Sequence, residues 1–175
     1  MVDAQTIGVL VTAASVTVAA IYYIMTLRIN QRNGRITLTN NIMQSILTKE
    51  NLRDFGELMN MTWVSYDDFE KKYGSDFNLD NFGKRMSAWH SYEALGNLVR
   101  QGLADRDTIY NSGTICILWT WVKFKPVIEE YRRRYGGRDA LKGFEYLGDS
   151  LMRLKKLKDP GFEFPVEFTR YIPDK

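Results

Sequence analysis

The feature that most constrains this chain is the run from Thr6 to Leu27, TIGVLVTAASVTVAAIYYIMTL, which contains no charged residue. About 20 apolar residues in a helix match the hydrocarbon thickness of a bilayer and satisfy every backbone group internally. The run has that length, so it reads as one N-terminal transmembrane helix. A buried core helix is one alternative, but such a helix carries a polar stripe and this run offers only small hydroxyls. A cleaved signal sequence is the other. That would begin with a basic segment, whereas this chain begins Met-Val-Asp, and the apolar stretch continues past Ala19-Ala20 into Ile21-Tyr22-Tyr23-Ile24-Met25. An uncleaved, single-pass anchor is the favoured reading.

The flanks give it a direction. Arg28, Arg32 and Arg35 follow the run, and Asp3 is the one charged side chain before it. Cationic residues are retained on the cytoplasmic side, so the expectation is a cell-membrane protein with its N-terminus outside and everything after the anchor in the cytoplasm. Tyr22 and Tyr23 fall where amphipathic rings favour the interface. Gly8 with Thr12, and Ser15 with Ala19, have the small-xxx-small spacing that permits close helix contact within a membrane.

The chain therefore divides into residues 1–35, the anchor with its basic flank; 36–159, a helical domain; and 160–175, an extended tail. With 45% hydrophobic and 13% aromatic residues, the part beyond the anchor can bury a core. Leu38, Ile42, Met43 and Ile46 recur at helical spacing, and Asn33-Gly34 leaves open whether the anchor helix runs straight into them. Thr48 caps a helix facing inward through Leu52, Phe55, Leu58 and Met59, and Ser65 caps a short one over 66–73 that stops at Gly74. A strong amphipathic helix over 79–101 carries Phe82, Met86, Trp89, Tyr92, Leu95 and Val99. A short helix over 105–111 leads to Ser112-Gly113. The longest element of the domain follows over 114–135, with the stripe Ile117, Trp121, Phe124, Ile128, Tyr131 and Tyr135 and a kink expected at Pro126. After Gly136-Gly137 a last helix over 138–157 buries Leu141, Phe144, Leu147, Leu151 and Leu154. No strand pair is signalled, so the fold class is all-α: one transmembrane helix, a cytoplasmic multi-helix domain and an extended C-terminal tail.

Candidate chemistry is sparse. Cys116 is the single cysteine, which excludes an internal disulfide and a thiolate zinc cluster within one chain. His90 is the single histidine; with Glu93 one turn on it makes half a metal set and no more. Trp89, His90 and Glu93 are the pocket candidates, Glu93 because a partly buried carboxylate calls for a partner such as an arginine. Neither a phosphate-binding glycine loop nor a nucleophile elbow occurs. No cofactor, metal, nucleic acid or small-molecule substrate is expected.

The positive signal is charge. Residues 28–112 hold 11 Lys/Arg and 11 Asp/Glu, whereas 113–159 hold 11 and 6. Arg132, Arg133, Arg134 and Arg138 are the candidates for contact with anionic lipid headgroups or a partner, beside a second group of Arg153, Lys155, Lys156 and Lys158. A solvated helix end, where the dipole favours cations, is the competing account.

The series Leu95-Gly96-x-Leu98-Val99-x-x-Gly102-Leu103-x-Asp105, then Gly113, Trp119 or Trp121, Pro126, Ile128 and Arg132 or Arg133, following a basic-flanked span, resembles a family of uncharacterised, single-spanning prokaryotic membrane proteins defined as a domain of unknown function. These are packing and turn residues, and the resemblance implies no activity and no catalytic residues. The expected function is a membrane-tethered, non-enzymatic helical interaction module. It would act as an accessory or structural subunit of a larger membrane complex or pair with itself, offering Trp63, Phe162, Phe164 and Phe168 as surplus aromatics. The alternatives are a sensor of anionic headgroups and a cryptic ligand-binding protein or enzyme.

Overall fold

The computed structural model describes residues 3–165, so the tail aromatics Phe168 and Tyr171 lie outside the described residues. Those residues form six helices and no strand, the all-α architecture expected. They belong to two compact units, Met1–Thr37 and Leu38–Lys175.

Residues 4–37 of the first unit form one continuous helix. α1 (Ala4–Ile46) begins here and ends in the second unit; Asn33-Gly34 does not interrupt it. Its hydroxyls fold back on its own backbone: Thr12, Ser15, Thr17 and Thr26 each donate to the carbonyl four residues earlier, at 2.8–2.9 Å. Side chains that would otherwise interrupt the apolar surface are thereby satisfied within the helix.

In the second unit local signals set most boundaries. The Thr48 hydroxyl accepts from the Asn51 amide at 3.2 Å and starts α2 (Lys49–Met59). Ser65 accepts from the Asp68 amide at 3.1 Å and starts α3 (Tyr66–Tyr73), while Asp68 reaches back to accept from the Val64 amide at 3.1 Å. Asn78 caps α4 (Leu79–Arg100), and Gly102, at φ 71°, turns the chain after it. Asp105 caps α5 (Arg106–Tyr135), accepting from the Thr108 amide and hydroxyl at 2.8 and 2.7 Å.

One expectation holds and two are revised. The short helix over 105–111 and the long one after it are the two arms of α5, which meet at a kink where Gly113 leaves helical geometry (φ −164°, ψ 26°). The bend seats the last turns of α1: a Cβ on Gly113 would meet the Met43 Cε at 2.6 Å and Leu47 at 3.2 Å. Pro126, expected as the kink, keeps helical φ and ψ, as its ring favours. The last helix begins late, as α6 (Lys142–Lys158), because the chain from Gly136 (φ 71°) to Leu141 (φ 58°) is a pair of turns. Leu141 holds a left-handed conformation costing about 1–2 kcal/mol in a non-glycine residue. Its buried side chain compensates.

Ile117, Phe124, Phe144, Leu147 and Leu151 form the centre of the core and are wholly buried. The closest approach is between α4 and α6. A Cβ on Gly96 would overlap the Gly143 carbonyl, and one on Gly143 would overlap the Glu93 carbonyl. One turn on, Gly148 lies flat against the Trp121 ring.

Candidate functional site

Two features of the sequence carried functional expectations: the apolar run and the charged or polar clusters of the helical unit. In the first, α1 contains the one helix among the described residues long and apolar enough to cross a membrane, and none of its most apolar 18-residue window is buried. Tyr22, Tyr23, Ile24 and Met25 are exposed, as is Leu27, and Arg28, Arg32 and Arg35 stand exposed beyond them. A helix occupying the core of a soluble domain would bury such a face.

The arginine cluster is largely engaged within the chain. Arg132 is partly buried and works as a latch: its Nε donates to the Ala140 carbonyl at 2.8 Å and its Nη1 to Glu145 Oε2 at 3.0 Å, holding the α5–α6 turns. Arg133 and Arg134 both donate to Glu130, and Arg134 also reaches Asp67 while stacking over the Tyr66 ring at 4.5 Å. Those two guanidiniums hold the Glu130 carboxyl down at about 2. Arg138 is exposed in the turn. The four do not form one open cationic surface.

Trp89, His90 and Glu93 point apart. Trp89 is core, edge-on to Phe124 at 5.4 Å between ring centres, and His90 is exposed. Glu93 is half-buried, and its partner is a helix end instead of the arginine expected. Its Oε2 accepts from the Phe144 amide at 2.7 Å and its Oε1 from Asn97 at 3.1 Å. Phe144 is the third residue of α6, whose own cap position, Leu141, has no side-chain acceptor. Glu93 thus caps α6 from α4, a carboxylate placed where the helix dipole favours it. A crevice of about 30 Å³ between α2 and α4 is lined by Leu58, Tyr92, Cys116 and Thr120, among others, and by none of these three. It has room for about one water molecule. Burial pushes the Cys116 thiol up, away from thiolate reactivity.

Two buried cations escaped the sequence reading. Arg85 is almost fully enclosed, its guanidinium 4.4 Å from the Phe69 ring centre, 5.1 Å from Trp89 and 5.4 Å from Phe82. Its Nε and Nη1 have no hydrogen-bond partner among the described residues, so aromatic faces are its main compensation. Burial pushes it down to about 10. Lys123 is equally enclosed; it donates to the Met59 carbonyl at the end of α2 and lies 5.5 Å from the Trp63 ring centre, and burial pushes its ammonium down to about 8. A signal existed for both. Arg85 sits three residues after Phe82 and four before Trp89, and Lys123 sits between Thr120 and Val127, inside the buried stripes. Trp63, expected on the surface, stacks on Phe124 at 5.5 Å and belongs to this cluster.

Fold and sites together define a chain that, among the described residues, is all-α with a single candidate membrane span near its N-terminus, and whose polar clusters hold the helices to one another. No curated protein and no solved structure matches it. The domain of unknown function DUF4760 does, over residues 10–150, and the chain belongs to that family.

Proposed function

We propose that the chain is a membrane-tethered, non-enzymatic helical module, an accessory or structural subunit of a larger membrane complex. Its N-terminus would lie outside the cell membrane and its helical unit in the cytoplasm. The observation that carries this reading is α1, apolar over the length of a bilayer and exposed over residues 7–25. Arg28, Arg32 and Arg35 supply the orientation. Support for a role without catalysis comes from how the candidate groups are used. Glu93 caps a helix, Arg132 latches a turn, Arg85 and Lys123 sit among aromatic rings, and each of these jobs is structural. The aromatics offered to a partner shift in this reading. Trp63 is core and Phe164 packs on the core, while Phe77, Tyr131 and Tyr135 are exposed.

The test is to purify the chain from membranes in mild detergent after brief cross-linking. The expected result is an alkali-resistant membrane protein recovered in stoichiometric complex with other subunits or a second copy. Recovery as a solitary monomer would overturn the subunit assignment, and extraction by alkali would overturn the tether.

A further inference from the structure

The chain passes into the helical unit at Leu38. The next side chain, Thr39, is fully buried and accepts from the Asp105 amide at 2.8 Å, which fixes this point beside the α4–α5 loop and the start of α5. Lys158, the last residue of α6, lies over the Tyr110 ring at 4.2 Å, so the C-terminal end of α6 reaches the same opening turns of α5. One end of the unit, the proximal end, therefore gathers the incoming chain, the α4–α5 loop, the start of α5 and the finish of α6. The Arg132–Arg134 cluster is at the other end of α5.

The two ends treat their cations differently. Arg106, Arg153, Lys156 and Lys158 at the proximal end are all exposed and make no ion pair among the described residues. Asp107, exposed in the first turn of α5, offsets one of them, whereas Asp159 is taken by Lys155 at 3.0 Å. A helix dipole accounts for cations in the last turn of α6 but not for Arg106, which opens α5 where the dipole repels a cation. Among them stand two apolar side chains left to solvent, Leu157 at 79% and Leu103 at 47% exposure. Unpaired cations interspersed with exposed leucines match an interfacial lipid layer, with phosphates outside and acyl carbons beneath.

We infer that the proximal end is a membrane-surface face: Arg106, Arg153, Lys156 and Lys158 meet the phosphates of anionic lipids, and Leu103 and Leu157 enter the headgroup layer. This rests on the reading of α1 as a membrane span. It moves lipid contact from the far end, where Arg132, Arg133 and Arg134 are paired and, among the described residues, Arg138 alone is not, to the cations beside the incoming chain.

The full chain, Cys116→Ser with Leu157→Cys carrying a fluorophore, would be reconstituted into vesicles of phosphatidylcholine alone or mixed with phosphatidylglycerol, with headgroup nitroxide lipids as quencher. Quenching is expected to be stronger in the anionic vesicles and to weaken with added salt. Each cation replaced by Gln should lower the docked population by roughly fivefold at most, while Arg133→Gln with Arg138→Gln should leave it unchanged. As a readout free of substitutions, amide exchange in the last turn of α6 of the unaltered chain should slow in anionic vesicles. Equal exchange and equal quenching in both lipids would overturn the inference, as would quenching that survives loss of all four cations or that requires an added protein subunit. Alkali extraction of the reconstituted chain separates the two readings. A chain that resists alkali but fails these measurements keeps its span and loses its surface face; a chain that alkali strips loses both.

Discussion

Small residues at helical spacing occur in two regions of this molecule, and only one of them uses them in the structure. In α1, a Cβ added at Gly8 or Gly34 would meet nothing within 4 Å. At the α4–α6 crossing a Cβ at Gly96 or Gly143 would run into backbone, and where α6 meets α5 one at Gly148 would run into the Trp121 indole. The residue type is the same, but the surroundings differ. Gly96 follows the buried Leu95 and faces a second helix that also carries glycine, so the two backbones approach directly. Gly8 is on the stretch of α1 over residues 7–25, which is exposed on every side. Spacing of small residues therefore states where a backbone can be approached, and a buried apolar neighbour decides whether it is. Along the apolar stretch of α1 no such neighbour is present among the described residues.

The largest expected effect tests the packed side of that contrast. Gly96→Ala should destabilise the helical unit by about 3 kcal/mol, since the new methyl overlaps a carbonyl that belongs to a helix backbone and cannot rotate away. Gly83→Ala, on the same helix but exposed and open, should stabilise it by up to about 1 kcal/mol. All four tryptophans, at 63, 89, 119 and 121, lie in the second unit, so their fluorescence during urea unfolding in detergent reads that unit alone. If the two substitutions act alike, the crossing is not the tight contact described. On the exposed side, Val16→Arg should cost about 3 kcal/mol of membrane insertion, seen as loss of the alkali-resistant fraction. It should leave the tryptophan unfolding curve in place. An unchanged membrane fraction would break the reading of α1 as a span.

The contrast also separates what sequence can carry from what it cannot. The caps at Thr48 and Ser65 were legible because donor and acceptor lie three residues apart. The core stripes through Trp89 and Phe124 were legible because burial follows the helical period. Glu93 was not, since its partner, the Phe144 amide, is 51 residues away and meets it only once Gly96 and Gly143 have brought α4 onto α6. Arg85 and Lys123 fell in the right register, but their charge argued for solvent, and aromatic compensation needs Phe69 and Trp63 from other segments. Trp63 lies in a loop with no period to place it. For the arginines, Glu130 stands at helical spacing from Arg133 and Arg134 and could have been paired by rule, whereas Glu145 and Asp67 could not.

A middle-sized effect concerns the cap that the crossing creates. Glu93→Ala removes the acceptor for the Phe144 amide and should destabilise the unit by about 1–2 kcal/mol. Glu93→Gln keeps an acceptor without charge and should recover part of that loss. Amide exchange should accelerate most in the first turn of α6, and an effect spread evenly over the unit would argue that Glu93 merely packs.

The smallest effect per step, and the one that probes the buried cations directly, is a pH dependence. Burial holds Lys123 at about 8 in the folded chain, against an ordinary value of 10.5. Below pH 8 both folded and unfolded chains carry the charge, and the folded state bears the full cost of enclosing it. Between about pH 8 and 10.5 the folded chain has released a proton that the unfolded chain still binds. Stability must then rise with pH, at a slope of at most about 1.4 kcal/mol per pH unit. Arg85, pushed down to about 10, adds in the same direction only above that value. Urea unfolding followed by tryptophan fluorescence from pH 7 to 10 should show this rise in the native sequence and a flatter profile in Lys123→Met, whatever that substitution does to absolute stability. A profile that falls instead would mean that the Met59 carbonyl and the Trp63 ring stabilise the ammonium by more than burial costs it, and that Lys123 is charged throughout the range.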